Sequence, residues 1–146
     1  MKQSWVQASV WGRAVKDRIK SVAAARLGAK VYFISKVGED NFGDMAQKTY
    51  DAEGIDTRFL IRTQEGTTGA AGIIVQESSG ENAIIVVRGA ANALTHEEID
   101  RARDQIAESA VFMTQLELPV PTVEHGCRRR EHSESPPFST QHRPAN

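Results

Sequence analysis

Ala23-Ala-Ala-Arg-Leu-Gly28, Val31-Tyr-Phe-Ile-Ser35 and Gly38-Glu-Asp-Asn-Phe-Gly43 follow one another with almost nothing between them, and they decide the fold. The run Ser21–Gly28 is rich in helix-favouring alanine and stops at a glycine placed to end it. Val31–Ser35 is short, apolar, β-branched and aromatic, the composition of a strand buried on both faces. Gly38–Gly43 is a turn cluster that leads into a polar helix, Asp44–Glu53, closed by Gly54.

Outward from that core the same alternation continues. Thr57–Arg62 reads as a strand and Gly66–Gly69 as a turn. Ala71–Val75 and Ala83–Val87 flank Glu77-Ser-Ser-Gly80 and read as a hairpin. Thr95-His-Glu-Glu98 has the form of a capping box and opens a helix to about Ser109. Ala110–Leu116 is a further buried strand, and Thr122–Gly126 begins another helix. Strands alternating with helices point to an α/β fold with a largely parallel sheet, the 57–87 region forming an antiparallel excursion.

The 146 residues have room for one domain with an ordinary core. Charge is unevenly spread: residues 1–20 carry a net +4, residues 127–146 a net +2, and the middle −7. An acidic middle argues against nucleic acid as a partner. The single cysteine, Cys127, excludes an internal disulfide framework and a multi-cysteine zinc site. No apolar run approaches the roughly 18 residues of a membrane helix, and residues 1–20 lack the apolar stretch of a secretory signal. A cytoplasmic location is expected.

Several fragments, in order, resemble the ribokinase-like (phosphofructokinase-B) carbohydrate kinases. Ser21, Gly28 and Gly38 have the spacing of that family's first signature, and Val37-Gly-Glu-Asp-Asn-Phe-Gly43 matches the stretch that follows. Thr67-Thr-Gly69, Gly80-Glu-Asn82, Arg88-Gly-Ala-Ala-Asn-Ala-Leu94 and Met113-Thr-Gln-Leu-Glu117 continue the match. Where the family has Ala-Gly-Ala-Asn, Ala91 stands at the asparagine position and Asn92 follows it, so no role is carried onto Asn92.

The family's Gly-Gly-Lys-Gly-Ala/Ser-Asn-Gln motif belongs immediately before Ser21 and is absent there. The codons of Arg13-Ala-Val-Lys-Asp-Arg-Ile-Lys20, read one nucleotide out of register, permit Gly-Gly-Lys-Gly-Ser-Asn-Gln. One surplus nucleotide near the codon for Lys20 accounts for this. Residues 134–144, shifted likewise, permit Ile-x-x-Val-Leu-Asn-Pro-Ala-Pro-Ala, whose last five residues are a string of the same family. Residues 1–20 and 127–146 are therefore expected to be out-of-frame and disordered, flanking a partial kinase domain over 21–126.

That expectation absorbs other features. The basic, nearly acid-free residues 1–20 otherwise suggest a mitochondrial presequence, and Arg128-Arg-Arg130 a nucleic-acid patch. His125 with Cys127, and His132 with His142, match no standard metal motif. His96 is expected to be a solvent-exposed residue of a helix's first turn.

The resemblance implies a Rossmann-type, mostly parallel sheet flanked by helices with a small β lid, incomplete in this chain. It implies ATP-dependent phosphorylation of a sugar, with Met113-Thr-Gln-Leu-Glu117 favouring the 5-hydroxyl of ribose. The alternatives are another sugar or nucleoside kinase of the superfamily, or a non-catalytic remnant or interaction protein. Magnesium and potassium are implied alongside ATP, and a homodimer for the intact family member; membrane and nucleic acid are not.

Glu117 is the leading substrate-binding candidate. A carboxylate after a buried strand lies where open α/β sheets bind their ligands, and it can accept hydrogen bonds from two neighbouring sugar hydroxyls. Thr68 and Gly69 match the turn at the base of the family's lid, and Ala71, Ile73 and Val86 are implied as apolar wall behind the sugar. The family's Gly-Ala-Gly-Asp anion hole and base are not in the sequence. No catalytic, cofactor-binding or metal-binding residue is therefore expected in this chain, which is expected to be inactive as written.

Overall fold

The computed structural model describes residues 7–11, 16–115 and 118–131. Four strands form one parallel sheet: β1 (Gln7–Trp11), β2 (Lys30–Gly38), β3 (Asp56–Thr63) and β6 (Val111–Thr114), in the order β3-β2-β1-β6. β4 (Ala70–Val75) and β5 (Asn82–Val87) form a separate antiparallel hairpin. β3 thus belongs to the parallel sheet, and only β4 and β5 make the antiparallel excursion.

Side chains of β2 alternate between two cores, which is why its sequence is a continuous apolar run rather than an alternating one. Val31, Phe33 and Val37 pack with Tyr50, Ile55 and Leu60 under helices α1 (Lys16–Arg26) and α2 (Asn41–Ala52). Ile34 turns to the opposite face and joins Leu94, Ile99, Ala102, Ile106 and Val123. That face is covered by α3 (His96–Asp100), α4 (Arg103–Glu108) and α5 (Val120–Glu131), with a 3-10 turn over Ala90–Ala93. Phe112 and Met113 of β6 divide between the two cores in the same way. The result is three layers, helix on sheet on helix.

The capping box at Thr95 forms as its sequence indicates, with the Thr95 hydroxyl accepting from Glu98 N–H and the Glu98 carboxylate accepting from Thr95 N–H. The helix expected from there to Ser109 is broken into α3 and α4. Ala102 N–H donates to Ile99 C=O at 2.9 Å, a tight 3-10 closure that interrupts the helix while Ile99, Ala102 and Ile106 all remain fully buried.

Two differences concern the ends. Gln7–Trp11 pairs in register with both β2 and β6, and α1 begins at Lys16, inside the segment expected to be disordered. Strand pairing is made by backbone groups, and Val10 and Trp11 have β-favouring character. At the other end α5 continues through Glu131, held by Arg129, whose guanidinium donates to both oxygens of Asp100 at 2.6 and 2.7 Å. Residues 132–146 lie outside the described residues. No described helix is long and apolar enough to cross a membrane.

Candidate functional site

β1 leads through α1 to β2, and β2 through α2 to β3, each step moving to one side. The chain then returns past the hairpin and the opposite helical layer to place β6 on the other side of β1. The direction of winding reverses between β1 and β6. In open α/β sheets the crevice beyond the carboxyl ends of the strands at such a reversal is where ligands bind. Trp11 and Thr114 form the last register pair there.

A second crowded junction forms at the carboxyl end of β2. Asp40 caps α2, accepting from Gly43 N–H at 2.8 Å through one carboxylate oxygen and from Thr68 N–H at 2.6 Å through the other. The buried Thr68 hydroxyl accepts from Gly38 N–H at 2.9 Å. These donors hold the Asp40 carboxyl below its ordinary range, the Thr68 backbone N–H contributing most. Thr67 C=O accepts from Ala90 N–H at 2.8 Å, so the turn at the base of the hairpin is tied both to α2 and to the 3-10 turn.

Glycine is required here by proximity. A Cβ on Gly43 would lie 2.2 Å from Gly38 O, and one on Gly89 would lie 2.0 Å from Gly69 N and 2.6 Å from Thr67 O. The two legs of the hairpin therefore cross at Gly69 and Gly89 in backbone contact. Lys36, from β2, completes the tie: its ammonium pairs with Glu98 at 2.7 Å and donates to Ala93 C=O at 3.2 Å.

Of the residues the sequence points to, Thr68 and Gly69 lie in this junction. Ala71, Ile73 and Val86 share one face of the hairpin, since Ala71 pairs with Val86 and Ile73 with Ile84. They are exposed, Ile73 by 65% and Val86 by 53%, so they are not part of a packed core. Glu117 lies outside the described residues. His96 is exposed, and its ring stacks on that of His125 with centroids 4.2 Å apart.

Two residues at the crevice escaped the sequence reading. The Thr114 hydroxyl and the Gln115 carboxamide nitrogen are buried without a hydrogen-bond partner. Asp40 was also missed as a site residue, although an aspartate three positions before Gly43 in a glycine-rich turn is a readable N-cap signal. Among the described residues no three His, Cys, Asp or Glu side chains cluster so as to hold a metal ion.

A reversing parallel sheet with a carboxyl-end crevice and an apolar hairpin braced beside it defines an α/β enzyme-type ligand site. The model of the pfkB family carbohydrate kinases matches residues 20–140, and the chain belongs to that family. It is 42% identical over 109 residues to a ribokinase of Haemophilus influenzae, covering 75% of this chain and 35% of that protein. It is 35% identical over 110 residues to a deoxyribokinase of Salmonella typhi, covering 75% and 36%. The fold is similar to that of Arabidopsis thaliana ribokinase complexed with ribose and ATP, with TM-score 0.73, 19% identity, and 88% and 50% of the two chains covered. The chain thus spans about a third of the length of the curated relatives it matches.

Proposed function

We propose that this chain carries the sugar-binding side of a ribokinase that works in the cytoplasm, transferring the γ-phosphoryl group of ATP to the 5-hydroxyl of ribose. The observation that carries the reading is the 42% identity to a ribokinase over 109 residues, 75% of this chain. The deoxyribokinase match favours a second reading, in which the sugar is another pentose of the same shape.

A sugar kinase has to align a primary hydroxyl with the γ-phosphate and neutralise the charge that develops on the phosphoryl oxygens. The residues of this chain serve the first requirement. Asp40, Thr68 and the Gly69–Gly89 crossing fix where the hairpin leaves the sheet. Glu117 follows β6 at the reversal and offers a carboxylate to the sugar hydroxyls. Ala71, Ile73 and Val86 lie on one face of the hairpin and become wall when that face covers the crevice. The second requirement falls to an anion hole and a base that the sequence lacks, so the chain alone binds sugar without turning it over. The intact enzyme is a homodimer.

A coupled assay for ribose-dependent ADP release tests turnover, and sequencing of the source DNA across the codons for Lys20 and Gly126 tests the frame. The expected results are no release from the chain as written, and a one-nucleotide change that restores the family motifs on both sides. Release above background overturns the inactivity. A frame confirmed as written makes the chain a remnant rather than part of a working ribokinase.

A further inference from the structure

Between Lys30 and the end of β2, Lys36 is the single charged residue, and only 12% of its side chain is exposed. It lies on the same face of the strand as Ile34, above the core that holds Leu94 and Ile99. Taking an ammonium out of water is costly. Replacing a buried ion pair by apolar side chains of similar size is often neutral or stabilising. A methionine would fill the same space without that cost, so stability alone does not explain the charge.

The partners of the ammonium say what it selects. It pairs with Glu98, itself 14% exposed, and donates to the carbonyl of Ala93, the last residue of the 3-10 turn. The other Glu98 oxygen accepts from Thr95 N–H at 2.9 Å in the capping box. One cation thus holds the end of the turn and the start of α3 against β2. The far end of the turn carries the hairpin, since Ala90 N–H donates to Thr67 C=O beside the Gly69–Gly89 contact. Among the described residues β4 and β5 pair only with each other, so the attitude of the hairpin is set at this foot.

The turn by itself is weakly built. It has four residues, three of them alanine, and is closed by 3-10 bonds of 3.0 Å from Asn92 N–H and 3.3 Å from Leu94 N–H. Ala90 and Ala91 are buried, but each contributes a single methyl, which opposes rotation of the turn little. A bond from an ammonium to one particular carbonyl opposes it more strongly. We propose that Lys36 is a conformational pin: it selects one seating of the Ala90–Ala93 turn on β2, and with it one attitude of the hairpin, while adding nothing net to stability.

The test uses the full 146-residue chain in a cycle of Lys36→Met, Glu98→Gln and the two together. Glutamine keeps the capping bond to Thr95, so the double variant loses the charges and little else. Lys36→Met strands a carboxylate and is expected to melt lowest. The double variant is expected to melt as high as the parent or higher. In it the Ala90 and Leu94 amides should exchange faster by about tenfold or more, the effect of losing one bond from a charged donor, while the amides of β2 stay as protected as before. A double variant that melts well below the parent, or does not fold, makes the pair a stabiliser and overturns the proposal. Unchanged exchange at Ala90 and Leu94 also overturns it, because the turn then keeps its seating without the cation.

Discussion

Asp40 and Thr68 are 28 residues apart in sequence, yet the Thr68 backbone N–H donates to the Asp40 carboxylate at 2.6 Å. The other oxygen of the same carboxylate caps α2 at Gly43. One side chain therefore fixes the start of a helix and the foot of the hairpin. Asp40→Ala removes both bonds. The expected cost is about 1–2 kcal/mol for the cap, together with faster exchange of the Thr68 amide than of the amides of β2. Urea unfolding measures the first and hydrogen exchange the second; a Thr68 amide as protected as before would mean that the hairpin is held without Asp40.

The glycines of this region differ in what they resist. Gly89→Ala drives a Cβ into the backbone of Gly69 and Thr67, which cannot move without separating the hairpin from the sheet. The expected loss exceeds about 4 kcal/mol, in the class of severe core defects. Gly28→Ala is the contrast. Gly28 has φ +89° with nothing within 4 Å of its added Cβ, so the cost is conformational only, about 1–2 kcal/mol. Thermal melts of the two variants should differ widely; similar melts would show that the crossing at Gly69 and Gly89 is loose.

The Arg129 guanidinium, and after it His125, hold the Asp100 carboxyl down to about 2, from an ordinary 3.8. A depressed carboxyl stabilises the fold above its unfolded value and loses that contribution as pH falls through its folded one. The clasp between α3 and α5 is therefore intact at pH 5 and above, weakens between about pH 4 and pH 2, and is absent below. Asp100→Asn should melt below the parent at pH 6 and together with it near pH 2. The difference is small, because the pair is partly exposed. Its disappearance with acid is the diagnostic feature, and a constant difference across that range would remove the ion pair as its cause.

What the sequence showed and what it hid divide along the range of the interactions. β2, α2, β3 and the Thr95 cap were legible because each is specified within a few residues, by an apolar run, a terminating glycine or a hydroxyl three places before a glutamate. The Asp40–Thr68 bond and the Gly69–Gly89 crossing were not, since neither partner signals the other. The hairpin misled in a different way. Ala70–Val75 and Asn82–Val87 have the composition of buried strands, but every residue of β4 after Ala70, and all of β5, is exposed. Composition reports that a segment is suited to burial, not what buries it. The orphaned groups of Thr114 and Gln115 were invisible because a polar residue closing a strand is ordinary until its lack of a partner is seen.

The hairpin has two apolar faces and so permits a test in which two roles are separated. Ala71, Ile73 and Val75 share a face with Val86, Ile84 and Asn82; Gly72 and Ile74 share the other with Ile85 and Ala83. Both faces are exposed, and the strands carry no charge to discourage pairing. If one face covers the sugar and the other meets a second copy, substitutions on the two faces should have separable effects. In the intact enzyme, Ile85→Lys is expected to convert the proposed homodimer to a monomer in light scattering while leaving ribose affinity within about twofold. Ile73→Lys is expected to lower ribose affinity by about tenfold or more, the loss that follows from placing a charge where an apolar contact formed, and to leave the dimer intact. An intact enzyme that is monomeric at high concentration would end the dimer proposal. The same effect from both substitutions would show that the hairpin packs as a unit rather than by faces.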